Sequence, residues 1–301
     1  VPRLICTVRN CGLALQSGER VLRCAAGHSF DRARNGVWNL LQPQDRRSSR
    51  AGDSPRAVEA RGRWLERGYA DGLASAIAAA AGVDSLAPGA TVLDVGCGEG
   101  WFCGRLFGSR DVDLCGIDLS TAALRRSARR LPRATWIAAN ADRGLPVAPG
   151  SVDLALSIFG RRPAAELARV VRVDGGLVVV APGDDDLAEL REAAQSEARP
   201  LGRAAAVLAE LATTPFRLRR RETWRCRVPQ DAAALADALA MSYRGARERQ
   251  RIRLRNRLPA GQLAVTLAAE ILAFRRDAGP AGLPPPGGPG TGTGEVPRVS
   301  G

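Results

Sequence analysis

The sequence contains no lysine, so all 44 of its lysine-or-arginine positions are arginine. Against 31 acidic residues they leave a formal charge of +13. Part of this bias follows from a composition also rich in alanine and glycine. Arginine nevertheless carries a planar fork that suits phosphates and guanine edges. A strongly basic chain without a membrane segment most often meets nucleic acid; a merely solvated basic surface is the alternative. No run of about 18 uninterrupted apolar residues occurs, so no membrane helix is expected. The apolar stretch from Leu73 to Val83 is too short to span a bilayer. No charged-then-apolar opening segment is present, which argues against secretion and for a cytoplasmic protein. Histidine occurs once, at His28, and no internal repeat is visible. The 301 residues are 45% hydrophobic and 25% charged, ordinary values that exclude a disordered chain, a collagen-like fibre and a small disulfide scaffold.

Seven cysteines are an odd set for a disulfide framework. Three of them, Cys6, Cys11 and Cys24, fall in the first 24 residues, whereas Cys97, Cys103, Cys115 and Cys226 are scattered. Without an export signal, a metal site fits the N-terminal group better than disulfides do.

Composition divides the chain into four parts. Residues 1–42 hold the clustered cysteines and short strand-like runs such as Val21-Leu22-Arg23. Residues 43–58 read as a polar linker without apolar periodicity. Residues 59–277 alternate helical and strand patterns. Residues 278–301, rich in glycine, proline and threonine, read as a disordered tail. In the third part, Val58 to Ala81 has helical spacing. Apolar strands are expected at Thr91–Val95, Leu114–Asp118, Ala134–Ala139, Val152–Ser157 and Gly176–Val180. Strands at this spacing with helices between them predict a parallel α/β sheet with right-handed crossovers.

The sharpest motif is Asp94-Val95-Gly96-Cys97-Gly98-Glu99-Gly100, where a strand turns into a helix. Glycines at such a turn let the backbone approach a ligand. A second acid, Asp118, ends the next strand. A dinucleotide dehydrogenase would want Gly-x-Gly-x-x-Gly, which this turn does not have. A glycine-rich turn of some other doubly wound fold is the bland alternative.

The N-terminal spacing is Cys6-x4-Cys11, then Cys24-x3-His28. Two close pairs separated by about a dozen residues can close a tetrahedral structural zinc site. Buried thiols without metal are the alternative. Gly12 and Gly27 beside the pairs favour the knuckle.

The paired acids around the glycine turn resemble the class I (Rossmann-like) S-adenosylmethionine methyltransferases. With the knuckle added, the chain from about residue 4 to residue 250 resembles the 23S ribosomal RNA guanine-N1 methyltransferases of the RlmA and tylosin-resistance type. The resemblance is carried by Cys24-Ala25-Ala26-Gly27-His28-Ser29-Phe30-Asp31, Gly36-Val37-Trp38-Asn39-Leu40-Leu41, Gly52-Asp53-Ser54 and Ala60-Arg61. The glycine turn, Asn140-Ala141-Asp142-Arg143, Gly160-Arg161-Arg162, Pro182-Gly183 and Asp186-Leu187 with Glu189-Leu190 complete it.

The resemblance implies that S-adenosylmethionine is held by Asp94, Gly96, Gly98, Glu99, Gly100 and Asp118, with Asp118 on the ribose hydroxyls. It implies an acid or amide against adenine, and both Asn140 and Asp142 qualify by type. It implies zinc on Cys6, Cys11, Cys24 and His28. Its substrate would be a hairpin of 23S rRNA lining the peptide exit tunnel, so macrolide resistance and routine rRNA maturation are both open roles. A homodimer is left open. The sequence departs from the family in three places. The first cysteine pair is widened by two residues. Arg67-Gly68-Tyr69 stands where the family has Gly-His-Tyr, with Tyr69 expected to touch the cofactor. Asp186 replaces a family histidine near the cofactor. Asp186 is read either as a cofactor contact or as the cap of a helix starting at Leu187.

Guanine N1 carries a proton that must leave when the nitrogen is methylated, and a nearby carboxylate is the simplest acceptor. Asp184 and Asp185 are the catalytic candidates by position, with Asp186 beside them; an exposed acidic turn is the alternative. Arginine runs at Phe216–Arg221 and Arg244–Arg257 could hold RNA phosphates, with Trp224 and Tyr243 as stacking surfaces. A small-molecule methyltransferase would need neither the knuckle nor these runs. A cofactor-dead RNA-binding protein would keep both.

Overall fold

The computed structural model describes residues 2–9, 11–46, 52–195, 202–242 and 261–278. The second arginine run, Tyr243 and the expected tail from residue 279 onward lie outside the described residues.

The strand at Ala90–Val95 (β5) sits in the middle of the large sheet and is buried over most of its length. It pairs in parallel with Val112–Asp118 (β6) on one side and with Val152–Ile158 (β8) on the other. Beyond β6 lies Thr135–Ala138 (β7), and beyond β8 lies Val171–Pro182 (β9). Chain order therefore reverses at β5, which makes the carboxyl ends of β5, β6 and β8 the ligand crevice of an open α/β sheet.

Alternation along β5 divides the core. Leu93 and Val95 face one cluster and Val92 faces another. The Val92 side is covered by the helices at Asp71–Ala81, Trp101–Phe107 and Thr121–Arg130, through Leu73, Ile77, Phe107 and Leu124. The Leu93 side is covered by the helices at Ala164–Val170 and Arg203–Leu211, and also by Leu22, Phe30, Trp38 and Leu40 from the N-terminal module. That module is a three-stranded antiparallel sheet of Gln16–Ser17 (β1), Val21–Arg23 (β2) and Ser29–Asp31 (β3). A further strand, Trp38–Asn39 (β4), leaves it to pair in parallel with β7 at the edge of the large sheet. A bridge between Leu4 and Val147 makes a second seam.

Three expectations need correction. The sheet is mixed. Leu263–Arg276 (β11) runs antiparallel to β9, and Phe216–Gln230 (β10) runs antiparallel to β11 as the outer strand. The arginines of β10 hid it from a search for apolar runs, because an edge strand exposes most of its residues. The single helical stretch from Val58 to Ala81 is two helices, Pro55–Glu66 and Asp71–Ala81, separated where Gly68 takes φ +81°. The segment 43–58 is partly helical, with a short helix at Pro43–Arg46 and the first residues of the Pro55 helix. Ser54 accepts a hydrogen bond from the Ala57 N–H, and Pro55 opens the helix, so the polar run is a helix start. Among the described residues no helix is long and apolar enough to cross a membrane.

Candidate functional site

The N-terminal loops bring Cys6, Cys11, Cys24 and His28 together, with all four ligand atoms within 4.8 Å of one another. Cys24 Sγ lies 3.4 Å and Cys6 Sγ 3.5 Å from His28 Nδ1, and the Sγ atoms of Cys11 and Cys24 are 3.7 Å apart. Tetrahedral ligands about 2.3 Å from zinc stand about 3.8 Å apart, so the spacing is that of a closed structural site. The knuckle around Cys24 is tightened by the Gly27 N–H donating to the Cys24 carbonyl. The widened first pair is absorbed by a loop in which Cys11 N–H donates to Val8 and Gly12 N–H returns to Cys6. Four intervening residues thus still deliver both thiols to one point.

At the end of β5 the chain turns through Gly96, Gly98 and Gly100, all with positive φ. A Cβ on Gly96 would stand 3.0 Å from the Gly160 backbone, so this turn needs glycine for space as well as for conformation. Asp118 at the end of β6 fastens the turn from below: its carboxylate accepts from Gly98 N–H at 2.9 Å and from Ser120 N–H at 2.7 Å. Burial raises its pKa, while those two N–H groups pull it back down. Asp94 is more deeply buried. Cys103 Sγ donates to its Oδ2 at 3.0 Å, and among the described residues Oδ1 has no hydrogen-bond partner. Burial pushes this carboxyl up to about 7, and the nearby Asp118 adds to the shift.

Glu99 is buried under Arg61. It is 2% exposed, and Arg61 holds it with Nε at 2.8 Å and Nη2 at 2.6 Å from Oε2. Arg61 Nη1 also reaches Asp53 at 2.5 Å, and the Asp53 carbonyl accepts from Ser120 Oγ at 2.9 Å. The segment before the Pro55 helix is thereby strapped across the end of β6, beside Asp118. Asp53 and Arg61 belong to the motifs that carried the resemblance, but nothing in the sequence linked them to Glu99.

Each of the other expected site residues has protein partners. Asn140 donates to Asp45 at 2.9 Å and accepts from Asp142 N–H, so its amide is engaged with protein on both sides. Asp142 is paired with Arg161 at 2.6 Å. Tyr69 packs on Trp64, ring centroids 5.3 Å apart, in a cluster that also contains Trp101 at the start of the helix after the turn. Asp184 accepts from Gly202 N–H, and Asp185 pairs with Arg225 at 2.6 Å. Asp186 is no helix cap: its Oδ1 accepts from Ala268 N–H of β11 at 2.9 Å. The following helix begins only at Ala188, after Leu187 at φ +52°. Burial raises Asp186 to about 6.

Two family models match the chain: a methyltransferase domain over residues 92–175, and the RlmA N-terminal domain over residues 5–49. The sequence is 37% identical over 189 residues to the 23S rRNA (guanine(748)-N(1))-methyltransferase of Streptomyces fradiae, covering 61% of this chain and 65% of that one, just under two thirds of its length. It is 35% identical over 208 residues to a provisionally named 23S rRNA (guanine-N(1)-)-methyltransferase of Micromonospora griseorubida, covering 63% of this chain and 69% of that protein. A provisionally named counterpart in Bacillus subtilis is 32% identical over 193 residues, covering 62% and 67%. With the metal cluster in the one matched segment and the glycine turn in the other, the chain belongs to the family of the 23S rRNA (guanine-N1)-methyltransferases.

Proposed function

We propose that the protein transfers a methyl group from S-adenosylmethionine to N1 of a guanine in 23S rRNA. The observation that carries this reading is one assembly: a closed Cys3His cluster whose module shares a core with a class I sheet, beside a glycine turn flanked by Asp94 and Asp118. The residues fit the cofactor. Among the described residues Asp94 Oδ1 is a buried acceptor without a hydrogen-bond donor, suited to an ammonium group. Asp118 ends β6 beside the glycine turn, where its carboxylate would accept from a vicinal diol, and Gly96 and Gly98 are half-buried next to it. Zinc on Cys6, Cys11, Cys24 and His28 would be structural, since a site closed by four protein ligands leaves no open position for chemistry.

The cofactor supplies a methyl group made electrophilic by its sulfonium. The chain's part is to bind, orient and accept a proton. One bond forms between guanine N1 and the methyl carbon as the bond from that carbon to sulfur breaks, and the N1 proton leaves to a base or to water. Asp184, Asp185 and Asp186 follow the end of β9 and are the candidate acceptors. Asp186, raised to about 6, is ionised at neutral pH and able to accept. The base itself must leave its stack to reach the crevice. An rRNA substrate places the reaction in the cytoplasm.

The test is incubation of purified protein with labelled S-adenosylmethionine and 23S rRNA, followed by nucleoside mass spectrometry. N1-methylguanosine is expected. Label transferred to small metabolites and not to rRNA would move the assignment to a small-molecule enzyme. A protein that fails to bind S-adenosylmethionine in calorimetry would instead be an RNA-binding protein with a dead cofactor pocket. Sedimentation of the same sample reads the oligomeric state.

A further inference from the structure

Phe159 is an outlier in this fold. It follows the last residue of β8, at the crevice, and takes φ +53°. Bulky side chains rarely occupy that region, and such residues cluster at ligand sites. Its conformation is fixed on both sides. The Phe159 N–H donates to the Val180 carbonyl at 2.9 Å. The next residue, Gly160, is pressed so closely on the glycine turn that a Cβ there would stand 2.6 Å from the Val95 carbonyl oxygen. The backbone therefore holds the ring out, 48% exposed, where burying it would be the ordinary outcome for phenylalanine.

The ring does not stand alone. Its centroid is 6.4 Å from that of Phe102, which meets Trp101 edge-on at 4.9 Å. Trp101 and Phe102 directly follow the glycine turn. A row of three aromatic rings thus runs from the turn to the crevice mouth and ends in an open face. Next to Phe159 a cleft of about 170 Å³ is lined by Asp142, Gly160, Arg161, Arg162, Pro163 and Glu210. Its walls are charged and can hydrogen-bond the edge of a ring whose face lies on Phe159.

We propose that Phe159 is the platform on which the methyl-accepting purine stacks after it leaves the RNA. This rests on the rRNA reading above and deepens it by assigning the base-binding face. Every base offers a π-face, and an aromatic side chain contributes affinity through it without competing for the base edge. Stacking there would leave N1, on that edge, free to meet the methyl donor.

The test compares the full-length wild type with Phe159→Leu and Phe159→Trp. The readouts are N1-methylguanosine formation in 23S rRNA and calorimetric affinity for S-adenosylmethionine. Leucine keeps the bulk and loses the π-face; it should lower kcat/KM for rRNA about 10- to 100-fold. Cofactor affinity should stay within about twofold of wild type, and tryptophan should restore most of the rRNA activity. A Leu variant with undiminished kcat/KM overturns the platform while leaving the rRNA reading intact. So does one that loses cofactor affinity in step with rRNA activity, since that marks a packing role. A wild-type chain that forms no N1-methylguanosine overturns the rRNA reading and the platform with it.

Discussion

Arg61 and Glu99, 38 positions apart, form a buried fork: Nε and Nη2 of the guanidinium both donate to Glu99 Oε2, at 2.8 and 2.6 Å. The pair ties the Pro55 helix to the glycine turn. Removing one partner strands the other charge where water cannot reach it, since Glu99 is 2% exposed. Arg61→Met should cost about 3–5 kcal/mol in urea unfolding. Pairing it with Glu99→Gln should recover part of that loss, because the Glu99 charge is then removed while Asp53 still loses its contact with Arg61. Equal unfolding midpoints for the single and double variants would remove the ion pair from the account of stability.

Asp94 makes stability depend on pH in a set direction. Its folded pKa of about 7 lies above the ordinary carboxylate value of 3.8, so the folded state holds a proton that the unfolded state has released between those limits. The contribution is therefore fully present below the lower value and is lost as pH rises through the upper one. Asp94→Asn cannot ionise. It should melt higher than wild type at pH 8, and the gap should narrow at pH 5 and close only below about pH 4. Thermal melts of both proteins across that range check this, and a constant gap would contradict it.

Zinc removal should be felt well beyond the metal. Leu22 and Phe30 of the module lie in the same core cluster as Leu93, Val95 and Ile137 of the large sheet. Pure protein should contain about one zinc per chain. Chelation, or Cys24→Ser, should lower the melting temperature of the main transition as well as unfold the module. Calorimetry showing an unmoved main transition after metal loss would mean that the module is only loosely attached.

Asp118→Ala should weaken S-adenosylmethionine binding by about 1.5–3 kcal/mol, the size of lost hydrogen bonds to a charged group. It should also loosen the turn, since Gly98 and Ser120 lose their acceptor. Asp118→Asn keeps an acceptor oxygen and should separate the two effects. Calorimetric titration of the three proteins is the check; unchanged affinity in both variants takes Asp118 out of the site.

What the sequence disclosed follows from distance along the chain. The core strands β5 to β8 are short apolar runs, and the glycine turn and the Cys3His spacing are local patterns, so each could be read in a window of a few residues. β10 escaped because its signal is charge alternating on an edge. β4 escaped because two residues, Trp38 and Asn39, carry no periodicity. The Arg61 partner of Glu99 lies 38 positions away and left no local sign. Asp186 stayed open between cofactor contact and cap because the N–H it binds, on Ala268, is 82 positions away. Phe159 gave no signal, since its distinction lies in a backbone angle.

The two seams between module and sheet, Trp38–Asn39 on β7 and Leu4 at Val147, turn the N-terminal segment into a gauge. A module on a free tether would sample many separations from the crevice proposed for methyl transfer and accept many targets. This one is hydrogen-bonded to the same sheet whose strand ends form the crevice, so the span between its surface and the glycine turn is a fixed length of folded protein. An RNA hairpin gripped at one end would present one stretch of its loop at the other. The choice of nucleotide then becomes a matter of measured reach as much as of base recognition.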